Sequence, residues 1–512
     1  MEITSFSVAI PVIFLALATW ALKLVKWVWL RPKKLEKSLR DHGLAGNPYR
    51  LLIGDLGEYS AFANHTKSET ISLSDDIAPH VLPYVHHVIQ KYGKNSFMWF
   101  GPNPRVNIVE PDLMKEIMSK PNLFRKPPDP LGEIITGGLF TAEGEKWTKH
   151  RRIINPAFHL EKLKNMLPEI FLSCRDMIDK WEMLVSARGS AEVDVWPYIE
   201  ALSGDVISRT AFGSNQEEGN RIFQLQKEQV DLALQLLPIV FIPGWRFIPT
   251  KANRRMKEVI SELQVLLRGI IRKREKAMEM GEARKDDLLG ILMESNFKEI
   301  RENGIGLSIE EVIAECKLFY FGGSGTTSSL LVWTMILLCR YPHWQGRARE
   351  EVLQVFGNEE PDLDGLNRLK VVTMILHEVL RLYPSATFIF RSLTKDAKLG
   401  TMNLPAGVEF TLPILLLHHD FEIWGDDVKE FNPERFSDGV FSATKGKFSY
   451  LPFGGGPRIC IGQNFSMIEA KMAIATILRR FSFELSPSYA HAPFPLFTLQ
   501  PQHGAQLILH KL

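Results

Sequence analysis

The chain has only four cysteines in 512 residues: Cys174, Cys316, Cys339 and Cys460. None sits in a CxxC and none is spaced like a zinc pair, which removes both of those motifs. So sparse a set points to a reducing compartment rather than a disulfide framework. Charge of one sign is missing too, since 61 Lys and Arg face 59 Asp and Glu. No global basic field is left to hold nucleic acid. Beyond the first fifty residues there is no Pro/Gly/Ser-rich linker, no low-complexity tract and no internal repeat. One large domain behind an N-terminal appendage is therefore expected. Strand-like alternation is scarce, confined to "RVNIVE" near 105, "KLGTMNLPAGVEFTLPI" near 398 and "PLFTLQPQHGAQLILHKL" at the end.

What is present is mostly helical. "IEEVIAECKLFYFGGSGTTSSLLVWTMILLCRY", Ile309 to Tyr341, holds no proline and turns apolar in its second half, as a central buried helix would. "LKVVTMILHEVLRLYP", Leu369 to Pro384, reads as a helix stopped by its proline. "NFSMIEAKMAIATILRRFSFEL" reads as a third, with Asn464 as a plausible cap or with a start nearer Cys460. The class is mainly α with small β-sheets.

"FSVAIPVIFLALATWALKLVKWVWL", Phe6 to Leu30, is long enough to cross a bilayer. Only Glu2 is charged before it, whereas Lys23, Lys26, Arg31, Lys33, Lys34, Lys37 and Arg40 lie within or beyond it. A cleaved signal peptide carries its basic residues first. Residues 1–30 are thus expected to be an uncleaved anchor and 31–50 a basic hinge, with the body on the cytosolic side. "LPIVFIPGWRFIP", Leu237 to Pro249, is too short to span. It is either a segment touching the membrane surface through Trp245 or a buried loop.

"FGGGPRICIG", Phe453 to Gly462, surrounds Cys460 with glycines, Pro457 and Arg458. Gly454, Gly455, Gly456 and Gly462 are expected where backbone must come close to something flat. Turn N–H groups and a nearby cation favour thiolate over thiol. A sheltered thiolate suits haem iron with a proximal cysteinate, which promotes cleavage of the O–O bond.

This loop matches F-x-x-G-x-R-x-C-x-G, the haem-binding signature of the cytochromes P450, at every fixed position. "EVLR" (Glu378 to Arg381), "FNPERF" (Phe431 to Phe436) and "WTKHR" (Trp147 to Arg151) are similar to three further landmarks of that family. "YRLLIGDLGEYS", "WTKHRRIINPAFHLEKLK", "LLVWTMILLCRYPHWQ" and "YLPFGGGPRICIGQNF" resemble its plant clan numbered seventy-two. The resemblance implies the P450 fold over residues 51–512, behind a transmembrane helix. It implies haem b with Cys460 on the iron, Phe453 in the same loop, and Trp147, Arg151, Arg391 and Arg458 at the propionates. Glu378 and Arg381 share a helix face, and with Arg435 they would form a structural triad. His150 and Arg152 are expected on the surface near an electron donor.

On the oxygen side, "FGGSGTT" (Phe321 to Thr327) resembles [AG]-G-x-[DE]-T-[TS], but Gly325 stands where the acid belongs. The glycines are expected to leave room for O2, with Thr326, helped by Ser324 and Thr327, handling protons. Two readings stay open. Either a water beside Gly325 relays the proton, or the enzyme is a haem-thiolate isomerase or dehydratase needing neither NADPH nor O2. A non-catalytic haem protein is a third. The apolar stretches Phe124 to Leu139, 237–249, Phe321, Ser385 to Ile389 and Phe494 to Phe497 suit a small lipophilic substrate. The clan implies an isoprenoid, such as a triterpenoid, hydroxylated with O2 and electrons from an NADPH–cytochrome P450 reductase. The location implied is the endoplasmic reticulum membrane, single-pass, facing the cytosol.

Overall fold

Ser308 starts the longest helix among the described residues. Its hydroxyl accepts the Glu311 N–H, while the Glu311 carboxylate accepts the Ser308 N–H at 3.0 Å, a capping box. The helix runs Ile309–Arg340 and ends just before Pro342. Length and composition alone would let it cross a bilayer, but most of its apolar stretch is buried inside the protein, so it is a core helix. Helix Trp196–Phe212 lies against it. A Cβ on Gly323 would run into the Ile207 side chain, so this glycine serves the close approach of two helices.

The computed structural model describes residues 3–185, 189–213, 216–237, 239–240, 244–281 and 287–512. It forms two units. The first comprises residues 1–69, 77–127 and 388–413. Its sheet has the order Ala45–Gly46, Ser96–Phe100, Asn103–Asn107, Glu409–Leu412, Ile389–Leu393, Phe124–Arg125. The parallel register sets Arg105 opposite Glu409. The two form a buried ion pair at 2.6 Å, with the guanidinium also against the Phe100 and Phe390 rings. At the N-terminus, helix Ile3–Val25 passes through a π-helical turn, Lys26–Leu30, into helix Arg31–Asp41. Val12, Phe14, Leu15, Leu17, Trp20 and Leu22 stand exposed along it.

The second unit comprises residues 70–76, 128–387 and 414–512. Around the central helix stand helices Gly144–Ile154, Lys370–Leu382 and Gln463–Arg480. The last starts from Gly462 with no side-chain cap, so Asn464 lies inside the first turn rather than at the cap. The C-terminal stretch folds as the hairpin Pro493–Leu496 and Thr498–Pro501, then strand Gln506–Lys511, flanked by Phe481–Leu485 and Ser190–Asp194. In the 237–249 stretch, Pro238 and residues 241–243 lie outside the described residues. Trp245 does not sit at the surface as one reading had it. It is buried, and its carbonyl accepts the Asn253 amide at 2.8 Å, while Phe247 is 86% exposed.

Helix Gln463–Arg480 carries a carboxylate into the core. Glu469 is fully buried and neither oxygen has a hydrogen-bond partner among the described residues. Burial raises it to about 8, and the Ser203 hydroxyl, close to the carboxylate without forming a hydrogen bond, works only weakly against this. The folded protein therefore keeps this proton at neutral pH, whereas the unfolded chain releases it in the ordinary glutamate range. Stability tied to the group is complete below that range and is lost as pH rises toward 8. Glu469→Gln should match the wild type at about pH 5 and gain about 1.4 kcal/mol on it per pH unit above that, levelling off near the folded-state value. Thermal unfolding of the haem-loaded proteins across this range reads the difference; a constant gap would refute the assignment.

Candidate active site

The cysteine loop closes on itself. The Cys460 N–H donates to the Phe453 carbonyl at 2.9 Å, and the Gly454 N–H to that of Leu451 at 3.0 Å. Gly454 and Gly456 hold φ of 71° and 65°, which glycine alone adopts freely. The four glycines thus do different things. Gly454 and Gly456 make the turn, a Cβ on Gly455 would press on Phe448, and one on Gly462 would stand 3.9 Å from the Cys460 sulfur. Gly462 is thus the one placed beside the sulfur, where a flat group is expected to approach.

Cys460 is free and exposed. Cys460 lines a cavity of about 290 Å³ together with Arg151, Phe158, His159 and Gln463. Although the residue is open to the cavity, the protein packed around it desolvates the thiol and pushes it up, while the Gly462 N–H and the Arg151 charge pull the other way. Cys174 and Cys316 are fully buried and raised by that burial, with carboxylate charges adding to the rise.

Trp147 and Arg151 reach this place from one helical turn apart. Arg151 Nη1 donates to the Ile459 carbonyl at 2.8 Å. The Arg458 guanidinium lies 4.7 Å over the Trp147 ring, donates to the Ala142 carbonyl at 3.0 Å and pairs with Glu143 at 2.8 Å. The Trp147 indole N–H has no partner among the described residues. A cysteine lining a cavity, two guanidiniums, an uncommitted N–H and a missing Cβ beside the sulfur together fit a haem with its carboxylates. Arg391 belongs to the first unit, on strand Ile389–Leu393, buried and donating to the Phe390 carbonyl at 2.8 Å.

The helix that carries Trp147 is fastened to the central helix by His150. The expectation of a surface histidine is corrected: His150 is fully buried, with Nδ1 on Glu315 and Nε2 3.2 Å from Glu311. Burial works against the Glu311 carboxylate, but Lys149, the Ser308 N–H and His150 hold it down at about 2. Arg152 is exposed and pairs with Glu299.

Behind the cysteine loop, Glu378 and Arg381 are completely buried and joined by two bonds of 2.7 and 2.8 Å. Arg381 also donates to the carbonyls of His418, Val428 and Glu430. Arg435 approaches Glu378 at 3.6 Å and is held mainly by Asp427 at 2.9 Å and the Trp424 carbonyl. His418 escaped the sequence reading. Its carbonyl accepts from Arg381 and its Nε2 accepts the Leu451 N–H at 2.9 Å, which ties the carboxylate–guanidinium lock to the start of the cysteine loop.

On the central helix, the hydroxyl of Thr326 donates to the Gly322 carbonyl at 2.7 Å. Ser324 is buried and donates to Tyr320, on another face of the helix. Thr327 shares a hydrogen bond with Ser466 at 3.0 Å, on the helix that follows the cysteine. The three hydroxyls named from sequence therefore do not converge.

A helical protein with small sheets, a lone cysteine in a closed glycine-rich loop and a buried Glu–Arg lock behind it defines a haem-thiolate class. The family model for cytochrome P450 matches residues 76–509, and the chain belongs to that family. It is 58% identical to "Cytochrome P450 CYP72A219" of Panax ginseng over 100% of this chain and 98% of that one. It is 55% identical to "Cytochrome P450 72A15" of Arabidopsis thaliana over the whole of both. The "7-deoxyloganic acid hydroxylase" of Catharanthus roseus is 53% identical, with 99% of each chain covered. The structure titled "Retinoic acid bound cyanobacterial CYP120A1" shares the fold, with a TM-score of 0.77 over 92% of this chain and 99% of that one at 23% identity. The chain is thus a cytochrome P450 monooxygenase, similar to plant relatives that carry 72A names.

Proposed function

We propose that the protein holds haem b in the endoplasmic reticulum membrane and hydroxylates a lipophilic isoprenoid, a triterpenoid foremost. Dioxygen and two electrons, passed from NADPH by a membrane-bound reductase, would be the co-substrates. The observation that carries the reading is the sulfur of Cys460, a residue set in a closed loop and lining the cavity beside Arg151. Haem bound through that sulfur supplies dioxygen activation and C–H oxidation. The chain's own residues do the rest. Cys460 donates charge, Trp147, Arg151 and Arg458 receive the propionates, and Thr326 handles a proton on the oxygen side. Glu378, Arg381 and Arg435 keep the cysteine loop in place.

Exposed apolar side chains on helix Ile3–Val25, followed by basic residues on Arg31–Asp41, support a single-pass anchor with the catalytic part in the cytosol. The Phe321 ring meets the Phe497 ring edge-on at 5.9 Å beside Gly322, a surface for an apolar substrate. The relative named as a 7-deoxyloganic acid hydroxylase supports hydroxylation as the outcome. Microsomes carrying the protein, given a panel of isoprenoids with and without NADPH, test the reading. Hydroxylated product that requires NADPH and O2 is expected. Turnover of a hydroperoxide without reductase, and no NADPH-dependent product, would replace it with the isomerase reading that Gly325 allows.

A further inference from the structure

Resting on the monooxygenase reading, we propose that Thr498 is a positioning residue. Its hydroxyl holds, beside Gly325, the water that takes the place of the carboxylate missing from the central helix.

Thr326 sets the need. Its hydroxyl proton is committed to the Gly322 carbonyl, so toward the oxygen side it offers lone pairs and must be supplied with a proton by a neighbour. The other candidates point elsewhere. Glu315 bonds His150 through one oxygen and lies ten residues, about 15 Å, down the helix from Gly325. Ser324 donates to Tyr320, and Thr327 is paired with Ser466.

A side chain at position 325 would meet one neighbour. Among the described residues outside its own helix backbone, a Cβ there has within 4 Å the Thr498 side chain alone, with Cγ2 at 3.7 Å and Oγ1 at 3.8 Å. A Cβ at this position is therefore accommodated without a clash, and the Thr498 methyl and hydroxyl border it. That hydroxyl makes no hydrogen bond to a described residue. A partly buried hydroxyl without a protein partner takes water.

Thr498 is also held firmly. The next residue, Leu499, accepts the Trp333 indole N–H at 2.8 Å and the Ser329 hydroxyl through its carbonyl, both from the central helix. The Leu499 N–H donates to the Ser385 carbonyl at 3.0 Å, and the Ser385 hydroxyl donates to the Thr326 carbonyl at 2.9 Å. On the other side, Phe497 adopts φ of 57°, unusual for a side chain of its size, and sets its ring against Phe321. These bonds tie the backbone next to Thr498 to the central helix that carries Gly325 and Thr326.

Crystal structures of the haem-loaded wild type, Thr498→Val and Thr498→Ser read the placement directly. An ordered water on Thr498 Oγ1 beside Gly325 is expected in the wild type and in the serine variant, and not in the valine variant. A second readout compares NADPH consumed with product formed, using whichever member of the isoprenoid panel is hydroxylated. Product per NADPH should fall about fivefold in Thr498→Val, the share of one hydrogen bond, and recover in Thr498→Ser. With Gly325→Glu already present, Thr498→Val should have no further effect. The same water in the valine variant, or the same fractional loss with and without Gly325→Glu, overturns the proposal. If no isoprenoid is hydroxylated, the crystallographic comparison still decides it, so the two readings fail separately.

Discussion

Haem-loaded Cys460→Ala will lose the long-wavelength carbon monoxide difference band of a thiolate-bound haem, and NADPH-dependent hydroxylation will fall to background. The argument is specific to this sulfur. Among the four cysteines it is the exposed one, and it lines a cavity, with the Gly462 N–H and the Arg151 charge working for its ionised form. Alanine keeps the loop, because the closing bond uses the backbone N–H of residue 460 and the turn uses Gly454 and Gly456. Folding should therefore survive and the spectrum should report ligation alone. Cys460→Ser, close in shape but a poorer donor, should lose the band as well. Cys174→Ala and Cys316→Ala should keep it, since both thiols are sealed in the core. An unchanged Soret spectrum in Cys460→Ala would end the assignment of the axial ligand.

Legibility in the sequence followed the range of the forces involved. The cysteine loop, the Glu378–Arg381 spacing and the Trp147–Arg151 spacing were readable because their chemistry lies within a turn or two of chain. The run from Ile309 to Tyr341 was readable for the same reason, and the helix covers Ile309–Arg340. What failed depended on distant chain. His150 looked like a surface residue among lysines and arginines; its partner Glu315 arrives from 165 positions away. Gly323 looked like room for a ligand, yet it serves Ile207 on another helix. Strand Ser96–Phe100 was missed because four of its five residues are buried, which erases the alternation that marks a half-exposed strand. His418 works largely through its backbone and through an N–H donor on the cysteine loop, a role with no residue pattern of its own.

Arg381 and Arg435 looked equivalent in the sequence, and the structure ranks them. Arg381→Leu should leave no haem-loaded protein to isolate, whereas Arg435→Leu should yield protein of lowered stability. Removing the Arg381 guanidinium strands the fully buried Glu378 carboxylate with one cation at 3.6 Å. It also leaves the His418, Val428 and Glu430 carbonyls without that donor. A buried charge so exposed costs about 3–5 kcal/mol, comparable with the whole stability of many domains. Arg435 is different, because its main partner, Asp427, is 38% exposed and can return to water. Arg381→Lys should fail nearly as badly, since an ammonium cannot make the two-pronged contact and reach the carbonyls as well. The double variant Glu378→Leu/Arg381→Leu should recover part of the loss, because no charge is then left unpaired. Yield of carbon monoxide-binding protein and thermal midpoint order the four variants. Arg435→Leu proving more damaging than Arg381→Leu would show that the lock turns on the second arginine instead.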